Sequence, residues 1–421
     1  MSYENKMMQM KKLLGKSKPV VEEKPSFQKP DAPPYIKNWQ EAGLTLIEND
    51  FGVLFERTVS YPYTFVHGDY QLGELFDAIS MWEASGIEHP FHTTSDETLV
   101  FFDTETTGLK GTGTHIFLIG LLTDTGKAFQ LTQYVLADPS NETAFLFESK
   151  FWQKANTVIT YNGKSFDWPQ LEMRWTLNKP FLPPLKSPRQ IDLLHSSKRI
   201  WRDDLHGMKL TKVETEKLGF YRHGDIPGHL APIIYFDAVK SGNATSLMKV
   251  LTHNEWDLLS LITLYVHSTK LLMKELQETS ISSTNIGKWY GDLKYRAISK
   301  ATLTDVTESF NEREAAHAHY YLGYQHKKDG EVDEAIRAFT VASTYTDERM
   351  QEDAFLQLAI LYEHKEKNME KALHATEQGI HVAKRQLNQS TTAFQNRMNA
   401  WQKRLNRLHK KINNPRVMTK K

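Results

Sequence analysis

The chain has 421 residues, a formal net charge of +1 and no cysteine, and 40% of its residues are hydrophobic. That length predicts two or three domains, and the lack of cysteine excludes a disulfide framework and a thiolate metal site. The first residues do not have the layout of a signal peptide, and no apolar run reaches the ~20 residues that cross a bilayer. We therefore expect a cytoplasmic protein that makes no use of a membrane.

Charge is unevenly distributed along the chain. Between Gln378 and Lys421 there are eleven Lys and Arg and no Asp or Glu, so 41 of the 52 basic residues and all 51 acidic ones lie before that point. The basic end, above all the tail at residues 413–421, could contact nucleic-acid phosphates. It could equally be a solvated helix face with a frayed end.

The N-terminal quarter divides into two parts. Residues 1–34 are rich in Lys, Met, Glu and Pro without periodicity, and we interpret them as disordered or linker-like. Residues 35–94 are predicted to form a small α+β module, with two strands around a turn at residues 49–52 and a helix over residues 72–82.

The most informative motif is Leu-Val-Phe-Phe-Asp-Thr-Glu-Thr-Thr-Gly-Leu at residues 99–109. Alternate side chains of a strand share a face, so Asp103 and Glu105 lie ~7 Å apart on one side of an apolar strand. Such a pair can bind one hard divalent cation between anionic oxygens. An exposed strand end with solvated charges is the alternative, and the apolar residues before the pair make it the weaker one.

Two further acidic motifs follow. Residues 157–167 predict a β-branched strand that enters an Asn-Gly turn, after which Asp167 lies near a helix start, where the helix dipole favours a carboxylate. In the segment His-Asn-Glu-Trp-Asp at residues 253–257, His253 and Asp257 are four residues apart and project from one face of an apolar helix. A structural histidine is the alternative, but the aspartate one turn away favours catalysis.

Asp103, Glu105, Asp167 and Asp257 match in order the four acidic positions of the DEDD exonucleases, which have the ribonuclease-H fold. Within that superfamily the chain resembles the YprB-like proteins of Gram-positive bacteria, which join this domain to helical repeats. The resemblance implies that these four carboxylates bind two Mg²⁺ or Mn²⁺ ions and that His253 orients or deprotonates the attacking water. It also implies a 3′-to-5′ exonuclease that hydrolyses phosphodiester bonds of nucleic acid, either DNA or RNA.

One spacing departs from the family pattern. The histidine subclass of these enzymes places its histidine five residues before the last aspartate, and the tyrosine subclass places its tyrosine four before it. Here His253 has the four-residue spacing. The identity of the general base is therefore open, and a catalytically slow or silent binding scaffold on the same fold is the alternative function.

Residues 95–278 are predicted to form the ribonuclease-H-like α/β domain. Strands near residues 98–103, 114–123 and 127–135 form an antiparallel meander, a helix follows near 141–154, and then come a strand at 157–161 and a helix from Trp168. This order predicts a mixed sheet, three antiparallel strands and then parallel strands, flanked by helices.

Candidate substrate-binding residues lie in the loops of this domain, and they are Thr106, Gly108, Leu109, Asn162 and Arg222. The fork of Arg222 matches phosphate oxygens, but a buried ion pair with Asp225 is equally compatible with the sequence. Asp192 and His195 could approach the site, and we interpret them as structural.

Residues 283–412 are predicted to form an all-α domain like the tetratricopeptide (TPR) repeats, which would bind a protein partner or substrate. Two copies begin at Leu322-Gly323 and Leu358-Ala359, with periods of 36 and 37 residues. Such arrays usually need three units, so helices near 283–300 and 391–412 should cap them. The last helix has an apolar seam from Phe394 to Ile412, interpreted as a capping face, with dimerisation as the alternative.

Overall fold

The computed structural model describes residues 27–108, 111, 113–153, 157–385 and 392–413. Its strands are β1 (Thr45–Asn49), β2 (Gly52–Tyr61), β3 (Val66–His67), β4 (Tyr70–Gln71), β5 (Leu99–Thr106), β6 (Ile116–Asp124), β7 (Phe129–Leu136), β8 (Thr157–Thr160) and β9 (Arg189–Asp192). Seven of them form one sheet in the order β1-β2-β7-β6-β5-β8-β9, and β3 pairs with β4 separately. Strands β5, β6 and β7 are antiparallel, while β8 and β9 run parallel to β5, so the predicted mixed sheet is confirmed.

Residues 35–94 do not form a separate module, in contrast to the prediction. Strand β2 pairs with β7 along eight residues, from Leu54↔Leu136 to Tyr61↔Phe129, and β1 continues the same sheet. The meander alone would leave β7 as an open edge, and β2 supplies the hydrogen-bonding partners that this edge needs. The N-terminal strands are therefore part of the sheet that carries the first acidic motif.

Helices cover both faces of the sheet: α1 (Ile36–Glu41), α2 (Glu74–Ser85), α3 (Glu142–Glu148), α4 (Asp167–Leu177), α5 (Leu193–Trp201), α6 (Leu210–Val213), α7 (Ala231–Ser241) and α8 (Thr245–Leu272). The predicted helix at 141–154 is shorter, because Lys150 adopts a left-handed backbone with φ of 59° just after α3. Strand β9 ends at Asp192, whose carboxylate caps α5 by accepting from the Leu194 N–H at 3.0 Å.

Helix α8 belongs to both hydrophobic cores of this region. Its first part contributes Leu247, Val250 and Leu251 to the core on one face of the sheet. Its later part, from Leu258 to Leu272, contributes to the core on the other face. The polar segment at residues 253–257 lies between these two apolar parts. Among the helices of the described ranges, none has both the length and the apolar composition that a membrane span requires.

The C-terminal region is all-helical and comprises α9 (Ser280–Asp292), α10 (Arg296–Ser309), α11 (Ala316–Asp329), α12 (Val332–Tyr345), α13 (Glu348–Leu361), α14 (Met369–Arg385) and α15 (Thr392–Asn413). A Cβ added to Gly323 would lie 2.8 Å from the Phe339 ring, so α11 and α12 approach each other closely at this glycine. The same contact occurs one period earlier, where a Cβ on Gly287 would lie 2.8 Å from Leu303. The pair α9–α10 is thus a third hairpin, although the sequence had indicated only a cap.

Helix α15 is the last helix of this region, and three of its basic residues form ion pairs with a buried carboxylate. Trp401 and Leu408 are buried in it. The Glu363 carboxylate has 0% exposure and is bound by Arg404, Arg407 and Lys411 at 2.6–2.8 Å. These three cations are held by one buried carboxylate, which offsets one of their three charges. Of the predicted basic tail at 413–421, only residue 413 lies inside the described residues.

Candidate metal-dependent active site

Strand β5 carries Asp103 and Glu105 near its carboxyl end, at the centre of the sheet. The two partly buried carboxylates alternate with the buried residues Phe102 and Thr104, as the period of a strand requires. The register with β6 shifts between Glu105 and Thr106. This bulge ends the regular pairing directly after the second carboxylate.

Asp167 lies beside β5 just beyond the end of its parallel pairing with β8. That pairing stops at Phe101↔Ile159, and Asp167 then accepts hydrogen bonds from the Thr104 hydroxyl and backbone. The tight turn before Asp167 depends on Gly163, because a Cβ there would lie 2.5 Å from the Thr160 Cβ. The prediction of a turn that delivers a carboxylate at a helix start therefore agrees with the structure.

Helix α8 reaches the same end of β5 because β6 has a glycine opposite Asp103. Gly120 is the cross-strand partner of Asp103. A Cβ on Gly120 would lie 2.2 Å from Asn254 Oδ1 and 2.6 Å from Leu258 Cδ1, so any side chain here would displace these two side chains of the helix. At this separation the Asn254 Nδ2 donates to Asp103 Oδ2 at 2.8 Å, which joins the first and last acidic motifs.

His253 and Asp257 face the first motif from one side of α8. The Nε2 atom of His253 lies 4.0 Å from Glu105 Oε1 and 3.5 Å from Asp257 Oδ2. Its Nδ1 atom lies 2.8 Å from Asp225 Oδ1, in the loop that precedes α7. A carboxylate on one ring nitrogen leaves the other directed at a metal or a water, which is the usual arrangement of a ligating histidine.

Arg222 is part of this cluster as an ion-pair partner, so of the two interpretations of the sequence the buried pair is the one found. Its side chain is 6% exposed and forms a bidentate pair with Glu214 at 2.6 and 2.7 Å. It also contacts Asp225 at 3.1 Å and Asp257. Its donors are directed at these three carboxylates, and a substrate-binding role of Arg222 stays a prediction.

Burial and mutual repulsion raise the pKa values of the carboxylates. Desolvation is the largest cause of the raised pKa of Asp103, followed by the charges of Asp257, Asp167 and Glu105. The pKa of Glu105 is raised by the same causes, and burial raises the pKa of Asp167 to about 6. These shifts follow when like charges converge without enough compensation.

The charge count and the donor types fit a divalent cation. Six carboxylates surround the site and are opposed by one guanidinium; the carboxylates are those of Asp103, Glu105, Asp167, Glu214, Asp225 and Asp257. Within it, Glu105, His253 and Asp257 offer ligand atoms that all lie within 4.8 Å of one another. Asp103 and Asp167 are not part of this group of three residues, but their carboxylates interact electrostatically with it. Carboxylate oxygens are the ligands that hard divalent cations prefer.

Several residues that position the site were missed at the level of sequence. Gln133 on β7 donates to Asn254 Oδ1 at 2.8 Å and so holds its amide in place. Glu255 is anchored to β2 by Arg57 at 2.6 Å and by the Tyr61 hydroxyl. These partners are 121 to 198 residues apart in the chain, and no local pattern indicates them. Only the density of polar residues at 253–257 within an apolar helix was a detectable signal.

Of the remaining predicted substrate-binding residues, Thr106 and Gly108 lie at and just after the end of β5, and Asn162 lies just after β8. The Thr106 hydroxyl donates to the Gly108 carbonyl at 2.8 Å and closes the loop after β5. Asn162 has a φ of 67°, and its N–H donates to Asp192 Oδ1 at 2.8 Å. Leu109 lies outside the described residues. A substrate contact by Thr106, Gly108, Leu109 or Asn162 stays a prediction, while Asp192 has the structural role expected of it.

Comparison with known proteins agrees with this geometry. A family model of the RNase H superfamily matches residues 100–269, which include all four acidic motif positions. The protein YprB of Bacillus subtilis (strain 168) is 34% identical to this chain over 391 residues, which cover 90% of this chain and 94% of that protein. The predicted resemblance is thereby confirmed: the chain belongs to the YprB family and carries a domain of the RNase H superfamily at residues 100–269.

Proposed function

We propose that the protein is a metal-dependent nuclease that hydrolyses phosphodiester bonds, and that it acts as a 3′-to-5′ exonuclease with two divalent cations. The observation that carries the proposal is the convergence of Glu105, His253 and Asp257 within 4.8 Å, beside Asp103 and Asp167 at the end of β5. Membership of the RNase H superfamily supports a hydrolase that acts on nucleic acid. The direction of digestion rests on the resemblance to the DEDD exonucleases.

The residues divide into ligands and positioning groups. Asp103, Glu105, Asp167 and Asp257 would hold two Mg²⁺ or Mn²⁺ ions, which when bound stabilise the charge on the attacking and leaving oxygens. His253 Nε2 would accept the proton of the attacking water, because Asp225 holds its Nδ1 at 2.8 Å. Asn254 holds Asp103 at 2.8 Å, so its amide keeps that carboxylate in place.

The proposal is tested by incubation of the full chain with end-labelled single- and double-stranded DNA and RNA in Mg²⁺ or Mn²⁺. Asp103→Asn is the matched variant, since it removes one charge and keeps the shape of the side chain. We expect stepwise shortening by the unaltered protein that is lost in the variant and in EDTA. Equal shortening by Asp103→Asn would refute the assignment.

A second candidate, a slow or silent scaffold that binds nucleic acid or protein through the helical region, is favoured by one observation. The Arg222 guanidinium contacts the Asp257 carboxylate, which is one of the proposed ligands. If that contact persists, it competes with a cation for Asp257. Calorimetric titration with Mn²⁺, run beside the nuclease assay, distinguishes the two candidates: the scaffold predicts neither tight Mn²⁺ binding nor turnover.

A further inference from the structure

A basic cleft of about 650 Å³ lies between α5 and α9, where the sheet domain meets the helical region. We call it the α5–α9 cleft. Four of the residues that line it are cations: Lys198, Arg199, Arg202 and Lys288. Among the lining residues that the structure describes, Asp292 is the one carboxylate. The cleft thus has an excess of positive charge in a molecule whose net charge is only +1.

Two of the cations are not neutralised by the protein. Arg199 pairs with Asp292 at 2.9 Å and lies 5.5 Å from the centre of the Trp289 ring. Lys198 and Lys288, in contrast, form no ion pair within the ranges that the structure describes. Lys288 is oriented by the Tyr321 ring at 5.3 Å. Uncompensated ammonium groups that share one concave surface raise the local positive potential and attract an anionic ligand.

The cleft is connected to the carboxylate cluster through two hydrogen-bonded links. Helix α5 begins directly after Asp192, and that carboxylate accepts from the N–H groups of Asn162 and Lys164 in the turn before Asp167. In addition, the Tyr161 hydroxyl donates at 2.8 Å to the carbonyl of Met208, which lines the cleft. The wall of the cleft and the turn that carries Asp167 are therefore one connected structure.

We propose that the α5–α9 cleft binds the sugar–phosphate backbone of a single nucleic-acid strand whose end is processed at the carboxylate cluster. This inference rests on the proposed nuclease function and names the form of its substrate. A concave basic groove that tracks one backbone is typical of single-strand recognition. Trp289 is 5% exposed and covered by Arg199, so the contacts are with phosphates and carry no base specificity.

The test compares two charge-removal variants in a binding assay that needs no turnover. Lys198→Gln/Lys288→Gln alters the cleft, and Lys37→Gln/Lys127→Gln removes the same charge from the surface at α1 and the β6–β7 turn. Both are made in the Asp103→Asn background. The probes are fluorescein-labelled oligothymidylate and oligouridylate, titrated by anisotropy at several salt concentrations.

We expect the cleft variant to lose affinity on the order of tenfold at 0.1 M salt, and its salt slope to fall by about 1.4, since each single-strand phosphate contact contributes about 0.7. The control variant should keep both quantities. Unchanged affinity and slope in the cleft variant, or equal losses in the two variants, would overturn the inference.

A separate reaction keeps the inference distinguishable from the proposed function. The p-nitrophenyl ester of thymidine 5′-monophosphate is small enough to contact only the carboxylate cluster. Hydrolysis of this ester by the unaltered protein in Mn²⁺ tests the nuclease site without the cleft. Absence of ester and strand hydrolysis would remove the proposed function, while the anisotropy result still decides whether the cleft binds a strand.

Discussion

His253 Nδ1 lies 2.8 Å from Asp225 Oδ1, and on the other side of the ring Nε2 faces Glu105 and Asp257. We assign the N–H to Nδ1, because the Asp225 carboxylate lies nearer to this nitrogen than Arg222 Nη1, which is 3.2 Å away; the lone pair then remains on Nε2. A loop residue 28 positions before the histidine thus determines which nitrogen serves the site.

Asp225→Asn is therefore expected to lower the Mn²⁺-dependent turnover by about 10- to 100-fold without loss of fold. The amide can donate as well as accept, so it no longer selects one tautomer of His253. The measurement is kcat across a pH series, because altered proton acceptance changes the profile and a structural defect does not. Asp50→Asn, in the β1–β2 turn, is the control. An Asp225→Asn protein with the original kcat and pH profile would contradict the role.

Asp167→Asn should stabilise the metal-free protein at neutral pH. The pKa of Asp167 is raised to about 6, so between pH 4 and 6 the native state binds a proton that the unfolded state has released. Stability of the native state therefore falls as the pH rises through this range, and above pH 6 the full destabilisation by the buried charge is present. A shift from 3.8 to about 6 corresponds to on the order of 3 kcal/mol. We expect the variant to melt higher in EDTA at pH 7.5 and at the same temperature as the unaltered protein near pH 4.

In Mn²⁺ the unaltered protein should instead melt higher than Asp167→Asn, because a cation stabilises only the protein that keeps the carboxylate ligand. The unaltered protein should melt higher in Mn²⁺ than in EDTA, and Asp167→Asn should show little change. Metal binding should also release protons at pH 6, which calorimetry in buffers of different ionisation enthalpy detects. An identical Mn²⁺ response in both proteins would remove Asp167 from the site.

Gly120→Ala should disturb the site from the neighbouring strand, because Gly120 on β6 is the direct cross-strand partner of Asp103. The new Cβ would lie 2.2 Å from Asn254 Oδ1, so the Asn254 side chain must move and its amide loses its contact with Asp103. We expect a loss of about 1–3 kcal/mol in the free energy of unfolding in urea, as is typical of overpacking, together with weaker Mn²⁺ binding. Gly113→Ala, where a Cβ meets nothing within 4 Å, is the control. Normal Mn²⁺ affinity in Gly120→Ala would show that α8 tolerates the displacement.

Arg222→Ala should destabilise the protein by about 3–5 kcal/mol, because it leaves the fully buried Glu214 carboxylate without its partner. Arg222→Met/Glu214→Gln removes both charges and should recover a large part of that loss. Urea unfolding measures both. If Arg222→Ala instead keeps its stability and loses only substrate affinity, the guanidinium is a phosphate contact after all.

The local parts of the site follow from periodicity. A period of two places Asp103 and Glu105 on one face of a strand, and a period of 3.6 does the same for His253 and Asp257 on a helix. The two visible repeat copies follow in the same way from spacing near 36 residues. The third copy was missed because Leu303 stands 36 residues before Phe339 and is a different residue type, so only the helix packing identifies it.

The sequence by itself determined which residues are chemically able to bind cations and which of them share a face, because those properties depend on residue type and on the local backbone. Only the tertiary structure decided that Asp225 holds His253, that Arg222 neutralises Glu214, and that the strands at 45–61 belong to the central sheet. Those contacts join segments that are far apart in the chain. They depend on how closely α8 can approach the sheet, which one missing Cβ at Gly120 controls.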